Sequence, residues 1–101
     1  MPAIPAKLVT IITVFSAQLR IERGLAKLGA KAYSLAKVDG RGQHGHQRDG
    51  IVDSANVQFS IVAHEKLAMQ ILEWVEREIA SSEPVIAYAA DVIALPSNRV
   101  D

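Results

Sequence analysis

Residues 39–50, DGRGQHGHQRDG, concentrate the groups of this chain that are best suited to binding an anion. The segment holds four of the six glycines, two of the three histidines and two arginines. Successive glycines let backbone N–H groups converge on one anion, and arginine and histidine side chains add further donors. The composition therefore predicts either a cradle for phosphate or carboxylate groups or a flexible linker. It is not a P-loop, because it lacks the Gly-Lys-Ser/Thr ending and does not open a helix.

Other constellations of reactive residues are weaker. His44 and His46 form a His-x-His pair that suits a metal ion, but no His-Glu-x-x-His motif or acidic cluster completes a site. The third histidine, His64, is predicted at the start of a helix. No Gly-x-Ser-x-Gly motif places a serine on a nucleophile turn. The sequence thus predicts no metal site and no catalytic residue.

The composition limits the classes of protein to consider. At 101 residues the chain fits a single domain, residues 1–101, and its 50% hydrophobic content excludes a disordered chain. Eleven basic residues balance eleven acidic ones, which excludes a general binder of nucleic acid. There is no cysteine for disulfides or thiolate chemistry. Thr10 and Thr13 interrupt the first apolar run, which is shorter than the roughly 20 residues of a membrane helix, so we expect a cytoplasmic protein without membrane insertion.

The periodicity of apolar residues predicts four strands and two helices. The predicted order is a strand at 7–14, a helix at 16–29, strands at 32–38 and 56–63, a helix at 64–82 and a strand at 85–95. Ser16 is predicted to cap the first helix and Gly29 to end it, while Gly24 is predicted to mark close packing. The unbroken apolar run of the last strand predicts a central position with both faces covered.

This order predicts an α+β fold of the ferredoxin-like, split βαβ type (βαββαβ), with one antiparallel sheet and both helices on one side. The other face then carries Ser34, Ser60 and Val62 together with apolar residues of the first and last strands. An uncovered face of this kind is typical of self-association, so we expect a homo-oligomer. The loop of about 16 residues between two adjacent strands is long enough to indicate a functional segment.

Three segments resemble PII signal-transduction proteins. Residues 29–45, GAKAYSLAKVDGRGQHG, resemble the part of this family that leads from the first helix through the second strand into the base of its long T-loop. Residues 56–75, NVQFSIVAHEKLAMQILEWV, resemble the third strand and second helix, and residues 85–95, VIAYAADVIAL, resemble the following strand. The resemblance covers most of the chain and implies one PII-like domain with a T-loop at about 39–55.

The resemblance implies a homotrimer with an adenine nucleotide in each cleft between subunits. Ile12 and Val62 would line the adenine, and Ser34 and Ser60 would hydrogen-bond to it or to its surroundings. The base of the T-loop would meet ribose and phosphate through Gly40, Arg41, Gly42 and Gln43. Ordering or release of the T-loop would then report the bound nucleotide to a protein target, without catalysis.

Departures from the family pattern alter the expected ligand. No glycine-rich loop with a lysine precedes the last strand, and the basic residues that follow it in the family are missing, which leaves Arg99 as a substitute. Gln43 stands where the family pattern has arginine. Fewer phosphate ligands favour ADP or AMP over ATP, and the sequence most resembles the carboxysome-associated and bicarbonate-linked PII-like regulators. For these, the resemblance implies bicarbonate as a second ligand, here near Arg41, Gln43, His44 and His46.

Three alternatives stay open on the sequence alone. A trimeric metal-binding protein of the CutA type shares this fold, and the pair His44 and His46 is the reason to consider it. A nitrogen-regulatory PII homologue would favour ATP with 2-oxoglutarate. A small ferredoxin-like enzyme would need an acid or base, for which the candidates are Asp91, His64 and Glu83. The leading interpretation requires no cofactor, and the T-loop would contact a target protein, with a membrane transporter as one type of target.

Overall fold

The computed structural model describes residues 2–39 and 56–101 of the chain. Its strands and helices follow one another as β1 (Ile4–Val14), α1 (Gln18–Leu28), β2 (Ser34–Val38), β3 (Asn56–Ala63), α2 (Glu65–Glu78) and β4 (Val85–Ala94). Short 3-10 turns at Phe15–Ala17 and Ser97–Arg99 precede α1 and follow β4. This is the βαββαβ order that the sequence predicts, and the fold class is confirmed.

The described strands form one antiparallel sheet in the order β2-β3-β1-β4. β1 is central because it pairs with β3 on one side and β4 on the other, so that Val9 lies opposite both Ile61 and Ala89. β4 is therefore an edge strand, and the prediction of a central, doubly covered last strand is wrong. The apolar run of β4 is not buried within this chain. Ile86 and Tyr88 are exposed on one face, and half-buried alanines alternate with them on the other.

Both helices pack on one face of the sheet. The odd-numbered residues of β1 and β3 point to this face, where the fully buried side chains include Val9, Ile11, Phe59 and Ile61. The ring of Tyr33 packs against Phe59 with the ring centroids 5.5 Å apart. Burial raises the pKa of Tyr33, and the negative charge of Glu22 adds to that shift. Each fully buried apolar side chain stabilises the fold by about 1.5–3 kcal/mol, so this layer supplies most of the stability.

The ends of α1 follow the sequence prediction at one end only. Gly29 adopts a left-handed conformation with φ of 99°, and its N–H and that of Ala30 return to carbonyls of the last turn, as predicted for a helix-ending glycine. Ser16 does not cap α1, because the chain tightens into a 3-10 turn directly after the extended residue Val14. The capping prediction is wrong because Ser16 lies inside that turn.

Arg20 of α1 braces the connection that leads from α2 into β4. Its guanidinium donates hydrogen bonds to the Ser82 hydroxyl at 3.1 Å and to the carbonyl of Glu78. A cation beside the carbonyls at the end of a helix is favourable, because those carbonyls carry the negative end of the helix dipole. The contact ties α1 to the segment that connects α2 to β4.

Gly24 lies at the contact between the two helices. A Cβ atom built on Gly24 would fall 2.1 Å from the nearest carbon of the Trp74 ring, far inside van der Waals contact. The half-buried indole of Trp74 therefore occupies the space that any other residue at position 24 would need. This confirms the prediction that Gly24 marks close packing.

Replacing Gly24 with alanine is expected to lower the free energy of unfolding by about 1–3 kcal/mol, because the new methyl group must displace the indole. Urea unfolding of the wild type and of Gly24→Ala measures the change. The matched control is the double variant Gly24→Ala/Trp74→Leu, in which the methyl group should cost much less relative to Trp74→Leu alone. A more stable Gly24→Ala variant, as expected for an exposed helical glycine, would contradict this packing.

Candidate functional site

One face of the sheet is left uncovered by the helices, and we call it the open face. It carries the even-numbered residues of β1 and β3 and their partners on the outer strands. Across its middle runs a row of side chains in register, which we call the hydroxyl row: Ser34, Ser60, Thr10 and Tyr88. Directly opposite residues in a sheet have Cβ atoms about 4.5–5.5 Å apart, so four side chains that carry hydroxyl groups are neighbours across the four strands.

Apolar side chains flank the hydroxyl row on both sides. On one side Ile12 lies opposite both Gln58 and Ile86, and on the other Val62 lies opposite Leu8. The structure therefore brings together four residues predicted to bind a ligand, Ile12, Ser34, Ser60 and Val62. Ser34 is exposed and the other three are half-buried, so all of them are accessible from this face. Polar groups set between apolar ones suit a flat ring with a polar edge.

The hydroxyl row includes two residues that sequence reasoning did not place in the site. Thr10 lies between Ser60 and Tyr88 and is buried even though no helix covers this face. A threonine at an even-numbered position of the apolar first strand was the available signal. Tyr88 joins the row through the strand register, which aligns it with the three shorter side chains.

Large apolar side chains are exposed along the edge strand and just beyond it. The exposed fractions are 58% for Ile86, 48% for Tyr88, 71% for Ile93 and 72% for Leu95. An edge strand also presents backbone N–H and C=O groups on its free side, and natural proteins normally protect such edges. This combination of a free edge and exposed apolar residues is typical of a surface that is covered by another chain.

Residues 95–101, which we call the strap, lead back from the edge strand to the opposite side of the sheet. The Asp101 N–H donates to the carbonyl of Val62 at 3.1 Å, and the Ala32 N–H donates to Asp101 Oδ2 at 3.1 Å. Arg99, the predicted substitute for the missing basic residues, is exposed on this strap. Asp101 is a further residue that sequence reasoning missed, since no motif or periodicity marks it.

Several predicted site residues lie outside the described part of the chain. These are Gly40, Arg41, Gly42, Gln43, His44 and His46, and the segment 39–55 is described only at Asp39. The residues that flank this segment are paired, because Val38 lies opposite Asn56 at the end of β2 and β3. Asn56 and Val62 are six residues apart on β3, which corresponds to about 20 Å. The segment 40–55 is therefore connected to one end of β3, and Asp101 contacts the same strand near its other end.

The candidate acid and base residues do not form a catalytic cluster. Asp91 is exposed on the edge strand and accepts a hydrogen bond from Lys7, and this bond, together with the negative charge of Asp91, raises the pKa of Lys7. His64 is exposed at the start of α2, while Glu83 lies at the other end of β4 from Asp91. Across residues 2–39 and 56–101, no three His, Asp or Glu side chains are grouped as metal ligands. Within these same ranges, no helix is long and apolar enough to cross a membrane.

Comparison with known proteins points to one family. The model of the family described as Nitrogen regulatory protein P-II matches residues 6–98. The fold resembles a putative PII-like signaling protein from Thermus thermophilus, with a TM-score of 0.84, 28% identity and 100% of both chains covered. No curated protein matches the sequence significantly.

Two further proteins share the fold at lower identity. CPII from Thiomonas intermedia, bound to ADP and bicarbonate, gives a TM-score of 0.82 at 19% identity, covering 96% of this chain and 95% of CPII. The same protein bound to ADP, AMP and acetate gives a TM-score of 0.83 at 18% identity, covering 99% of this chain and 98% of CPII. The GlnK-ATP complex of B. subtilis gives a TM-score of 0.57 at 18% identity, covering 85% of this chain and 82% of GlnK.

Proposed function

The chain belongs to the nitrogen regulatory protein P-II family, and from this we propose that it is a non-enzymatic regulator that binds an adenine nucleotide. The observation that carries the proposal is the hydroxyl row with its apolar flanks on the open face. In this proposal Ile12 and Val62 contact the adenine ring, and the hydroxyl groups of Ser34 and Ser60 form hydrogen bonds with its polar edge. An aromatic base needs both kinds of contact, because its faces are apolar and its edge carries donors and acceptors.

The proposed assembly is a homotrimer in which two subunits share each nucleotide. Support comes from the distance between the two proposed phosphate-binding parts of one chain. Residues 40–43 follow Val38 and Asp39 in the chain, and Val38 lies opposite Asn56. Arg99 lies on the strap that ends beside Val62, about 20 Å further along β3. A single phosphate chain is too short to reach both ends of one subunit. A second copy on the open face would bring its own strap next to the first subunit's site. Ile86 and Tyr88, which are exposed on this face, supply the apolar surface for that contact.

The proposed ligands are ADP or AMP rather than ATP. The proposed phosphate contacts are the backbone and side chains of Gly40, Arg41, Gly42 and Gln43, with Arg99, so only two permanent positive charges face the phosphates. The CPII structures with ADP, AMP and bicarbonate support this choice, and they also support bicarbonate as the second ligand. For bicarbonate the proposed donors are Arg41, Gln43, His44 and His46. In this proposal the protein acts in the cytoplasm in inorganic-carbon metabolism, and ordering of residues 39–55 signals to a target protein.

Isothermal titration of the wild-type protein with ADP, AMP, ATP and cyclic AMP, each alone, with bicarbonate and with 2-oxoglutarate, tests the proposal together with urea unfolding in the presence of each nucleotide. We expect ADP or AMP to bind more tightly than ATP and to raise the unfolding free energy by about 2.7 kcal/mol at a concentration of 100 Kd. Tight binding of ATP only with 2-oxoglutarate would instead identify a nitrogen-regulatory PII homologue. If no nucleotide binds or stabilises the protein, the proposed function is wrong.

A further inference from the structure

Asp101 lies beside β3 at the position where a longer β2 would continue to pair with it. The pairing of β2 with β3 begins at Ser34 opposite Ser60, and two more residues in the same register would place Ala32 opposite Val62. In the structure these two residues do not pair with each other. The carbonyl of Val62 accepts from the Asp101 N–H, and the Ala32 N–H donates to the Asp101 carboxylate, each at 3.1 Å. Asp101 therefore lies between the two strands and satisfies a polar group of each.

These contacts fix the far end of the strap. Its near end continues from β4, whose last residue, Ala94, lies opposite Ile4 of β1. Val62 lies on β3, two strands away from β4, which is about 10 Å across the sheet. The hydrogen bond to Asp101 Oδ2 is charge-assisted, and such bonds are stronger than those between neutral groups. Asp101 is thus the anchor that keeps the strap across the end of the sheet.

Arg99 is held between the two anchored ends of the strap. It lies in a 3-10 turn in which its N–H donates to the Pro96 carbonyl at 3.0 Å, and its side chain is exposed. Val62 and Ser34 belong to the proposed nucleotide site, and Asp101 contacts Val62 directly and Ala32 two residues before Ser34. A backbone that already holds Arg99 close to its binding position loses less conformational freedom when a ligand arrives.

We propose that Asp101 is a positioning residue for nucleotide binding, which holds Arg99 where it can meet a phosphate of a nucleoside diphosphate in the assembled protein. This inference rests on the proposed function and adds to it the residue that orders the phosphate ligand. Asp101 acts through the hydrogen bond that it accepts from Ala32, so an asparagine, whose side-chain oxygen accepts the same bond, should replace it in this role.

Titration of ADP into the wild type and four variants of this chain tests the proposal. The variants are Asp101→Ala, Asp101→Asn, Arg99→Ala and the double variant Arg99→Ala/Asp101→Ala. We expect Asp101→Ala to weaken ADP binding about tenfold, Asp101→Asn to bind nearly as well as the wild type, and the double variant to bind no more weakly than Arg99→Ala. Hydrogen exchange without ligand should show faster exchange of the backbone amides at positions 32 and 101 in Asp101→Ala, while its thermal unfolding stays close to that of the wild type.

The outcomes separate this inference from the proposed function. If the wild type binds ADP and Asp101→Ala binds it equally well, the positioning role is overturned and the proposed function stands. Losses that are equal in Asp101→Ala and Asp101→Asn, or that add in the double variant, also overturn it. A wild-type protein that binds no adenine nucleotide overturns both.

Discussion

Glutamate at positions 86 and 88 is expected to convert the proposed trimer of about 33 kDa into a 10.9 kDa monomer. Ile86 and Tyr88 are exposed on the open face of an edge strand, and the proposed assembly buries them against a second copy. Two carboxylates in that contact would have to lose their hydration without a partner, which costs far more than the apolar contact gains. Size-exclusion chromatography with light scattering on Ile86→Glu/Tyr88→Glu measures the change. Because each nucleotide is shared between subunits in the proposal, ADP affinity should fall by about 100-fold or more.

The control variant introduces one glutamate on the side of the sheet that carries the helices. Met69 is 47% exposed on α2, on the side of the sheet that carries the helices, so Met69→Glu should leave both assembly and ADP binding unchanged. A wild-type protein that is already monomeric would contradict the proposed trimer. So would an unchanged oligomer in Ile86→Glu/Tyr88→Glu, because the edge strand would then not be part of the contact.

Phe59 and Ser60 are neighbours on β3, but substitution of Phe59 is expected to reduce stability, whereas substitution of Ser60 is expected to reduce nucleotide binding. Phe59 is fully buried beneath the helices and packs against Tyr33, so Phe59→Ala should lower the unfolding free energy by about 3–5 kcal/mol. Ser60 lies on the open face, so Ser60→Ala should hardly change the stability of the unliganded protein but should weaken nucleotide binding. Urea unfolding without ligand and ADP titration separate the two effects.

A conservative variant serves as the control for the core. Phe59→Leu keeps a large apolar side chain, so its loss should be much smaller than that of Phe59→Ala. If Phe59→Ala and Ser60→Ala lowered stability equally, the assignment of the two faces would be wrong. If both variants were as stable as the wild type, a core built on one face of the sheet would also be contradicted.

The sequence alone determined the features that depend on local spacing. Alternation along β3 assigned Phe59 to the buried face and Ser60 to the open face, because successive residues of a strand point in opposite directions. Gly29 was predictable as the end of α1, since a left-handed residue there favours glycine. The element order then led to the fold, because two β-α-β units pack their helices on one side of one sheet.

Features that depend on residues far apart in the chain could be assigned from the three-dimensional structure but not from local patterns. An apolar run such as β4 shows that its faces avoid water, but not whether this chain or another covers them, and its place at the edge follows from pairing with β1. The alignment of Thr10 and Tyr88 with Ser60 depends on strand register, which pairs residues of separate strands. Asp101 reaches Ala32 across 69 positions of sequence, and a single carboxylate at that separation leaves no periodic trace. Local spacing thus fixed the faces of each strand, and long-range pairing fixed which side chains meet on the open face.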